Sequence, residues 1–220
     1  MFDFDELRLE LQDTQWPFTA VDHERLIARA VAVDEEGFFC FVRAQRDDEF
    51  GRATLIETSG GGVEEGEEPE AAILRELREE LGAEAEILCR IGTVSDYYNL
   101  IRRRNLNHYF LCRIRSFGEK KLTRDEIERY HLSTLRLRYE EAAAEYERCA
   151  CTPLGRLIAN RELPVLKRAK ELLDRIEAEG ERTKKTETRI VDHEITLIPY
   201  YPNSEAACAD QAPALKGDNR

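Results

Sequence analysis

The chain has 220 residues, 42% of them hydrophobic and 35% charged, with a formal net charge of −12. That length allows one domain with an appendage, and the negative balance argues against nucleic acid held through its phosphate backbone. An anionic substrate would need metal ions or local arginines to approach.

No apolar run approaches the roughly 20 residues of a membrane-spanning helix. The acidic start MFDFDELRLE lacks the basic region and apolar run of a secretory signal. Six cysteines without such a signal read as reduced thiols, so a cytoplasmic location is expected.

Residues 1–16 carry Phe2, Phe4, Leu7, Leu9 and Leu11 and read as a short amphipathic helix. Leu26–Val33 and Phe38–Val42 are apolar runs joined by Asp34-Glu35-Glu36-Gly37, which predicts a β-hairpin. Ala53–Thr58 is a third strand leading into Ser59-Gly60-Gly61-Gly62. Ile87–Val94 and His108–Arg115 read as further strands, separated by SDYYNLIRRRNLN, a polar loop or hairpin end. The turn-like GEKKLTRDEIER precedes a strand-like run from Tyr130 to Leu137, and Glu140–Arg148 is helical by composition. Thr152-Pro153 opens a helix reaching about residue 178, which Pro164 is expected to kink or divide.

Residues 180–188 (GERTKKTET) are charged and lack apolar periodicity, so they read as a linker. RIVDHEITLIPYYPN alternates as a strand or hairpin does, and the small polar tail after Asn203 reads as disordered. The piece ITLIPYYPN is weakly similar to the first strand of the GNAT acetyltransferases, but no acetyl-CoA-binding loop follows it. A strand pairing with the main sheet or with another protomer is the plainer reading. Cys40, Cys89 and Cys112 lie in strand-like runs and read as small buried hydrophobes. Cys149 and Cys151 form a C-x-C without the second pair that a zinc site needs.

The chemistry concentrates in Gly61–Ala83, GGVEEGEEPEAAILRELREELGA. Ile73, Leu77 and Leu81, with Ala72, give the helix after Pro69 one core-facing stripe, and Gly82 is its C-terminal stop. Glu76, Glu79 and Glu80 stand at i, i+3 and i+4, neighbours on one helical face that repel unless a cation offsets them. Glu76 and Glu80 also lie late in the helix, where the dipole disfavours negative charge. A solvated acidic face is the bland alternative.

The spacing G-x5-E-x7-R-E-U-x-E-E-x-G-U, with U hydrophobic, resembles the Nudix box, and Gly61, Glu67, Arg75, Glu76, Leu77, Glu79, Glu80, Gly82 and Ala83 occupy its positions. The resemblance implies an α/β fold, the Nudix α/β/α sandwich with a mixed sheet, here with a C-terminal helical extension. It implies a metal-dependent hydrolase of phosphoric anhydrides acting on a nucleoside diphosphate linked to another moiety. The cofactor implied is Mg²⁺, with Mn²⁺ possible. Glu76, Glu79 and Glu80 are the implied metal ligands, helped by a backbone carbonyl near Gly61 and by an acidic residue from a distant loop. Asp125, Glu126 and Glu128 lie in a suitable region, and Glu126 is the choice among them. Glu79 or Glu76 would orient or deprotonate the water, and Arg75 would pair with a box carboxylate.

Residues 15 to 18 positions past the box often set substrate choice in such proteins. Tyr97 and Tyr98 stand there, as in dinucleoside-polyphosphate hydrolases, and the proline of ADP-ribose-type members is absent. Arg103, within the run Arg102–Arg104, is a candidate phosphate grip, and Arg52 completes the candidate substrate contacts. A nucleotide-sensing module without hydrolysis is the alternative function; retention of every box carboxylate favours the enzyme. An isoprenoid diphosphate isomerase shares the fold, but Cys40 stands alone where a paired-cysteine segment is expected. The resemblance leaves a homodimer open and implies a small-molecule partner.

Overall fold

The computed structural model describes the backbone of residues 4–194 and the side chains of residues 4–182. Its centre is an eight-stranded mixed sheet. β1 (Leu7–Leu11) lies on one edge, followed by β6 (Ala83–Tyr98), β7 (Arg103–Phe117), β2 (His23–Val33), β3 (Phe39–Asp48) and β4 (Gly51–Glu57). The short β5 (Ser59–Gly62) pairs with β2, and β8 (Ser133–Leu137) pairs with β3. β2 and β7 run parallel over a long register from His23↔Arg103 to Val33↔Arg113, while β6 and β7 form an antiparallel hairpin.

Period-two alternation along β2 explains the layers. Ala28, Ala30 and Ala32 turn to one face, where they pack with Ile73, Leu77 and Leu81 of the acidic helix and with Phe110 and Cys112. Val31 and Val33 turn to the other, against Tyr109, Leu111 and the helices α3 (Tyr139–Cys149) and α4 (Pro153–Glu194). Helices therefore cover both faces, the expected α/β/α sandwich.

Four local expectations are corrected. Residues 7–11 form a strand, not a helix, because Leu7, Leu9 and Leu11 alternate with period two and β6 offers a parallel edge from Gly92 to Asp96. Pro164 does not divide α4. Asn160, four residues earlier, is exposed, so water can take the carbonyl that the missing N–H leaves unpaired. Residues 180–188, expected as a linker, and 189–194, expected as the start of a strand or hairpin, are helical, α4 running to Glu194.

The segment between the long strands is the hairpin end already foreseen as one of two options. Only the short 3₁₀ turn Asn99–Ile101 interrupts it. Residues 195–203, with the GNAT-like piece, and the tail beyond them lie outside the described residues. No helix among the described residues is long and apolar enough to cross a membrane. Cys40, Cys89, Cys112 and Cys149 are buried thiols, as read for the first three, and Cys151 is exposed.

Candidate active site

The acidic helix begins as α1 (Pro69–Glu76), with Pro69 in its first turn, then widens into a π-helical turn, Leu77–Leu81. Gly82 closes it at φ 65°, the left-handed conformation glycine adopts without a Cβ clash. The widened turn bears on the chemistry, since π-turns concentrate at functional sites. With more residues per turn, i+4 stays aligned with i while i+3 rotates away. Glu76 and Glu80 are accordingly buried, while the Glu79 side chain is 40% exposed. Two of the three carboxylates are buried, and Glu79, joined to Glu76 through Arg75 Nη1, is the more exposed one.

Glu80 Oε2 accepts hydrogen bonds from Ser59 Oγ (2.6 Å) and Gly60 N (2.9 Å) at the end of the strand–glycine segment. Burial pushes its carboxyl up to about 8, against the opposing pull of those two donors, with Glu76 and Glu126 adding repulsion. Glu76 is raised for the same first reason, burial, partly countered by Arg75. Arg75 is the hub of the box. Its fork grips Glu67 through Nε (3.0 Å) and Nη2 (2.9 Å), its Nη1 reaches Glu76 (2.7 Å) and Glu79 (3.3 Å), and Nη2 also donates to the Gly62 carbonyl (3.1 Å). Glu67 is held low, first by Arg75 and then by the Glu64 backbone N–H. The glutamate therefore serves as an anchor for Arg75 and for the loop.

Gly61 is required by space. A Cβ there would stand 2.6 Å from Glu76 Cδ, because the carboxylate lies flat against the Gly61 backbone. Gly61→Ala is therefore expected to displace the Glu76 carboxylate and lower kcat/KM about a hundredfold. The obstructed atoms are the end of a flexible side chain, so thermal denaturation should show a stability change below about 1 kcal/mol. Full activity in this variant would remove Glu76 from the site.

Glu76, Glu80 and Gly61 share one cavity of about 390 Å³ with Glu126 from α2 (Arg124–Glu128), the distant-loop acid chosen from sequence. Glu126 is restrained through Oε2 by Thr123 in a capping box (N 2.6 Å, Oγ1 2.9 Å). Tyr98 and Arg103 also line the cavity. Tyr97 and Arg52 do not. Tyr97, adjacent to Tyr98 on a strand, points to the opposite face and donates to Glu10 (3.3 Å). Arg52 is exposed and pairs with Asp47 at 2.9 Å. Tyr98 does not offer its hydroxyl, which accepts from Arg161 Nη1 at 2.9 Å; burial pushes its phenol up to about 12.

Among the described residues no three acidic, histidine or cysteine side chains converge into a ready-made metal cage. The reason is visible in the partners: Arg75, Ser59 and Thr123 each draw carboxylate oxygens aside. The donor set nonetheless fits a hard divalent cation. Such ions take oxygen ligands, and Mg²⁺ retains several waters, so one or two carboxylates suffice. Glu76 and Glu80, buried with raised proton affinity, gain most from a cation.

Several cavity residues have no counterpart in the sequence reading. Arg161 of α4 is fully buried and donates to Asp96 Oδ2 (2.9 Å), Tyr98 Oη and Glu162 Oε1 (Nε, 3.0 Å). Arg29 donates to Asn107 Oδ1 (3.0 Å), and both guanidinium groups stand 3.6–3.7 Å from Glu57 Oε2. The available signal was a charged residue inside an apolar run, as in LIARAVAV, since buried charges occur only where they are paired. Arg46 pairs with Asp48 (2.7 Å) between the rings of Phe50 and Tyr130.

A family model described as the NUDIX domain matches residues 23–148, more than half of the chain. Comparison with curated proteins gave no match. Among solved structures, a NUDIX hydrolase from Nitrosomonas europaea is 18% identical, with a TM-score of 0.53 over 68% of this chain and 90% of that one. The E. coli ORF135 protein is 22% identical, with a TM-score of 0.45 over 67% and 91%. A MutT protein from Methanosarcina mazei Go1 is 19% identical, with a TM-score of 0.43 over 55% and 81%. The first of these likenesses shows a shared fold. Together with the complete box and the family match over the strands that build the cavity, it places the chain in the NUDIX domain family, as a Nudix pyrophosphohydrolase.

Proposed function

We propose that this cavity hydrolyses the diphosphate linkage of a nucleoside diphosphate joined to another moiety, such as ADP-ribose, a dinucleoside polyphosphate or a nucleotide sugar. Mg²⁺, or Mn²⁺ in its place, is the cofactor. One observation carries the reading: Glu76, Glu80 and Glu126 line one cavity together with Arg25, Arg29, Arg46, Arg103 and Arg161. An acidic wall suits a divalent cation, and a cationic wall suits phosphate oxygens.

Glu76 and Glu80 hold the cation in this reading, with Glu126, Glu79 and the Gly61 backbone as further oxygen donors. The cation supplies neutralisation of the diphosphate oxygens and a more acidic water. Glu79 or Glu76 takes the proton of the attacking water; Arg75 fixes both rotamers while Glu67 fixes Arg75. Tyr98 and Phe50, edge-to-face at 5.8 Å, offer an aromatic wall to the nucleoside.

The test is a substrate panel of ADP-ribose, dinucleoside polyphosphates, nucleotide sugars and NADH, each with Mg²⁺ and with Mn²⁺. Release of a mononucleotide from at least one is expected. Nucleotide binding without product under either metal would replace the hydrolase by the nucleotide-sensing alternative.

A further inference from the structure

Three of the five arginines lining the cavity are ion-paired: Arg29 and Arg161 with Glu57, and Arg46 with Asp48. Arg25 and Arg103 are not. Among the described residues neither has a carboxylate within ion-pair distance, in a chain whose acids outnumber its lysines and arginines 45 to 33. Such a chain has acids enough to neutralise exposed arginines, and it does so at Arg102 with Asp22 and at Arg104 with Glu24, on either side of Arg103. Within the cavity lining these two are the arginines left without a carboxylate partner.

Their placement follows from the parallel register of β2 and β7. Arg25 is opposite Asn105, and Arg103 lies two residues before Asn105 on the same cavity-facing side. The Arg25 guanidinium lies over Gly62, its Nη2 3.0 Å from where a Cβ would stand, which puts it next to Gly61 and the acidic wall. Arg103 lies over the Tyr98 ring, 5.5 Å from its centroid. One donor at this spot is buried with no partner, Arg103 Nε. A fold normally satisfies such groups. Burial depresses the basicity of Arg103, and the like charge of Arg25 adds to that against the opposing pull of Tyr98 and Asp96; a bound anion would offset both.

We propose that Arg25 and Arg103 form an anion subsite beside the acidic wall, which takes a phosphate monoester of the substrate distinct from the diphosphate that is cleaved. Two guanidinium groups suit a dianionic monoester better than the singly charged phosphates of a diester linkage. The favoured substrates thus carry a terminal phosphate on the polyphosphate chain or a phosphorylated sugar hydroxyl. The inference deepens the hydrolase reading, but its first test stands without it.

That first test is titration with inorganic phosphate in the absence of metal, followed by amide chemical shifts of the full chain. Wild type should bind. Arg25→Ala and Arg103→Ala should each weaken binding about tenfold, the double variant further, and Arg103→Lys less than Arg103→Ala. Arg52→Ala, outside the cavity, should match wild type, and the unchanged remainder of each spectrum reports that the variants are folded. Equal phosphate affinity in the double variant and wild type overturns the proposal.

The second test uses turnover. Arg103→Ala should raise KM about tenfold for a nucleoside triphosphate or for a nucleotide with a 2′- or 3′-phosphate, and by a smaller factor for ADP-ribose. Whichever monoester substrate shows the larger shift identifies the source of the phosphate. An equal rise for ADP-ribose overturns the proposal, because the arginines would then hold the scissile diphosphate itself. A wild type that binds phosphate but turns over nothing would refute the hydrolase reading while leaving the subsite supported.

Discussion

Glu80→Gln is expected to lower kcat/KM by about two to three orders of magnitude and at the same time to raise the melting temperature of the metal-free protein. Both effects have one cause. The Glu80 carboxylate is almost wholly buried and faces Glu76 and Glu126, so its charge is costly in the absence of a cation, as its raised proton affinity records. Glutamine keeps an oxygen that can accept from Ser59 Oγ and Gly60 N, the two bonds that join the helix to β5. The fold is therefore relieved of the cost of either burying a charge or taking up a proton there and retains its hydrogen bonds, and the melting temperature should rise by on the order of a few degrees at neutral pH. Metal binding loses a ligand, and added Mg²⁺ should stabilise the variant less than wild type. A destabilised variant with normal activity would show that Glu80 is a structural residue only. The opposing signs separate the two roles, since a purely structural carboxylate would lose stability when neutralised.

The box, its helix and the strands were legible because each rests on a short-range pattern. Ile73, Leu77 and Leu81 repeat at helical spacing, and all three are buried as that spacing requires. Leu26–Val33 and Phe38–Val42 are continuous apolar runs because helices cover both faces of their sheet. The failures have equally local causes. Leu7, Leu9 and Leu11 fit a strand better than a helix, yet strand formation there depends on the β6 edge, which no short window reveals. Tyr97 and Tyr98 are neighbours in sequence but belong to opposite faces of one strand, so only one reaches the cavity. The π-turn at Leu77–Leu81 leaves Glu79 more exposed than Glu76 and Glu80, and nothing in the helical periodicity announces it.

Arg161→Met carries the largest expected effect on stability, about 3–5 kcal/mol. Arg161 enters from α4, 65 residues past Asp96 in sequence, and ties together groups from β4, β6 and its own helix. Its guanidinium is 1% exposed, and Asp96 Oδ2, Tyr98 Oη and Glu162 Oε1 all accept from it. Methionine fills much of the volume but leaves three carboxylates, Asp96, Glu162 and Glu57, around a single remaining cation, Arg29. Asp96 would keep the Asn107 amide, and Glu162 would keep Tyr109 and Thr58. Hydrogen bonds from neutral groups do not replace a lost countercharge at this depth. At about 2–4 °C per kcal/mol for a domain of this size, the melting temperature should fall by on the order of 10 °C. Arg52→Met, at an exposed pair with Asp47, should change it by under about 1 kcal/mol. If the two substitutions were equally mild, the Arg161 network would not support the cavity floor. Should the network behave as described, Glu57 and Tyr98 would owe their positions to a helix outside the box. The cavity wall opposite the acidic helix would then depend on α4 as much as the carboxylates depend on Gly61–Ala83.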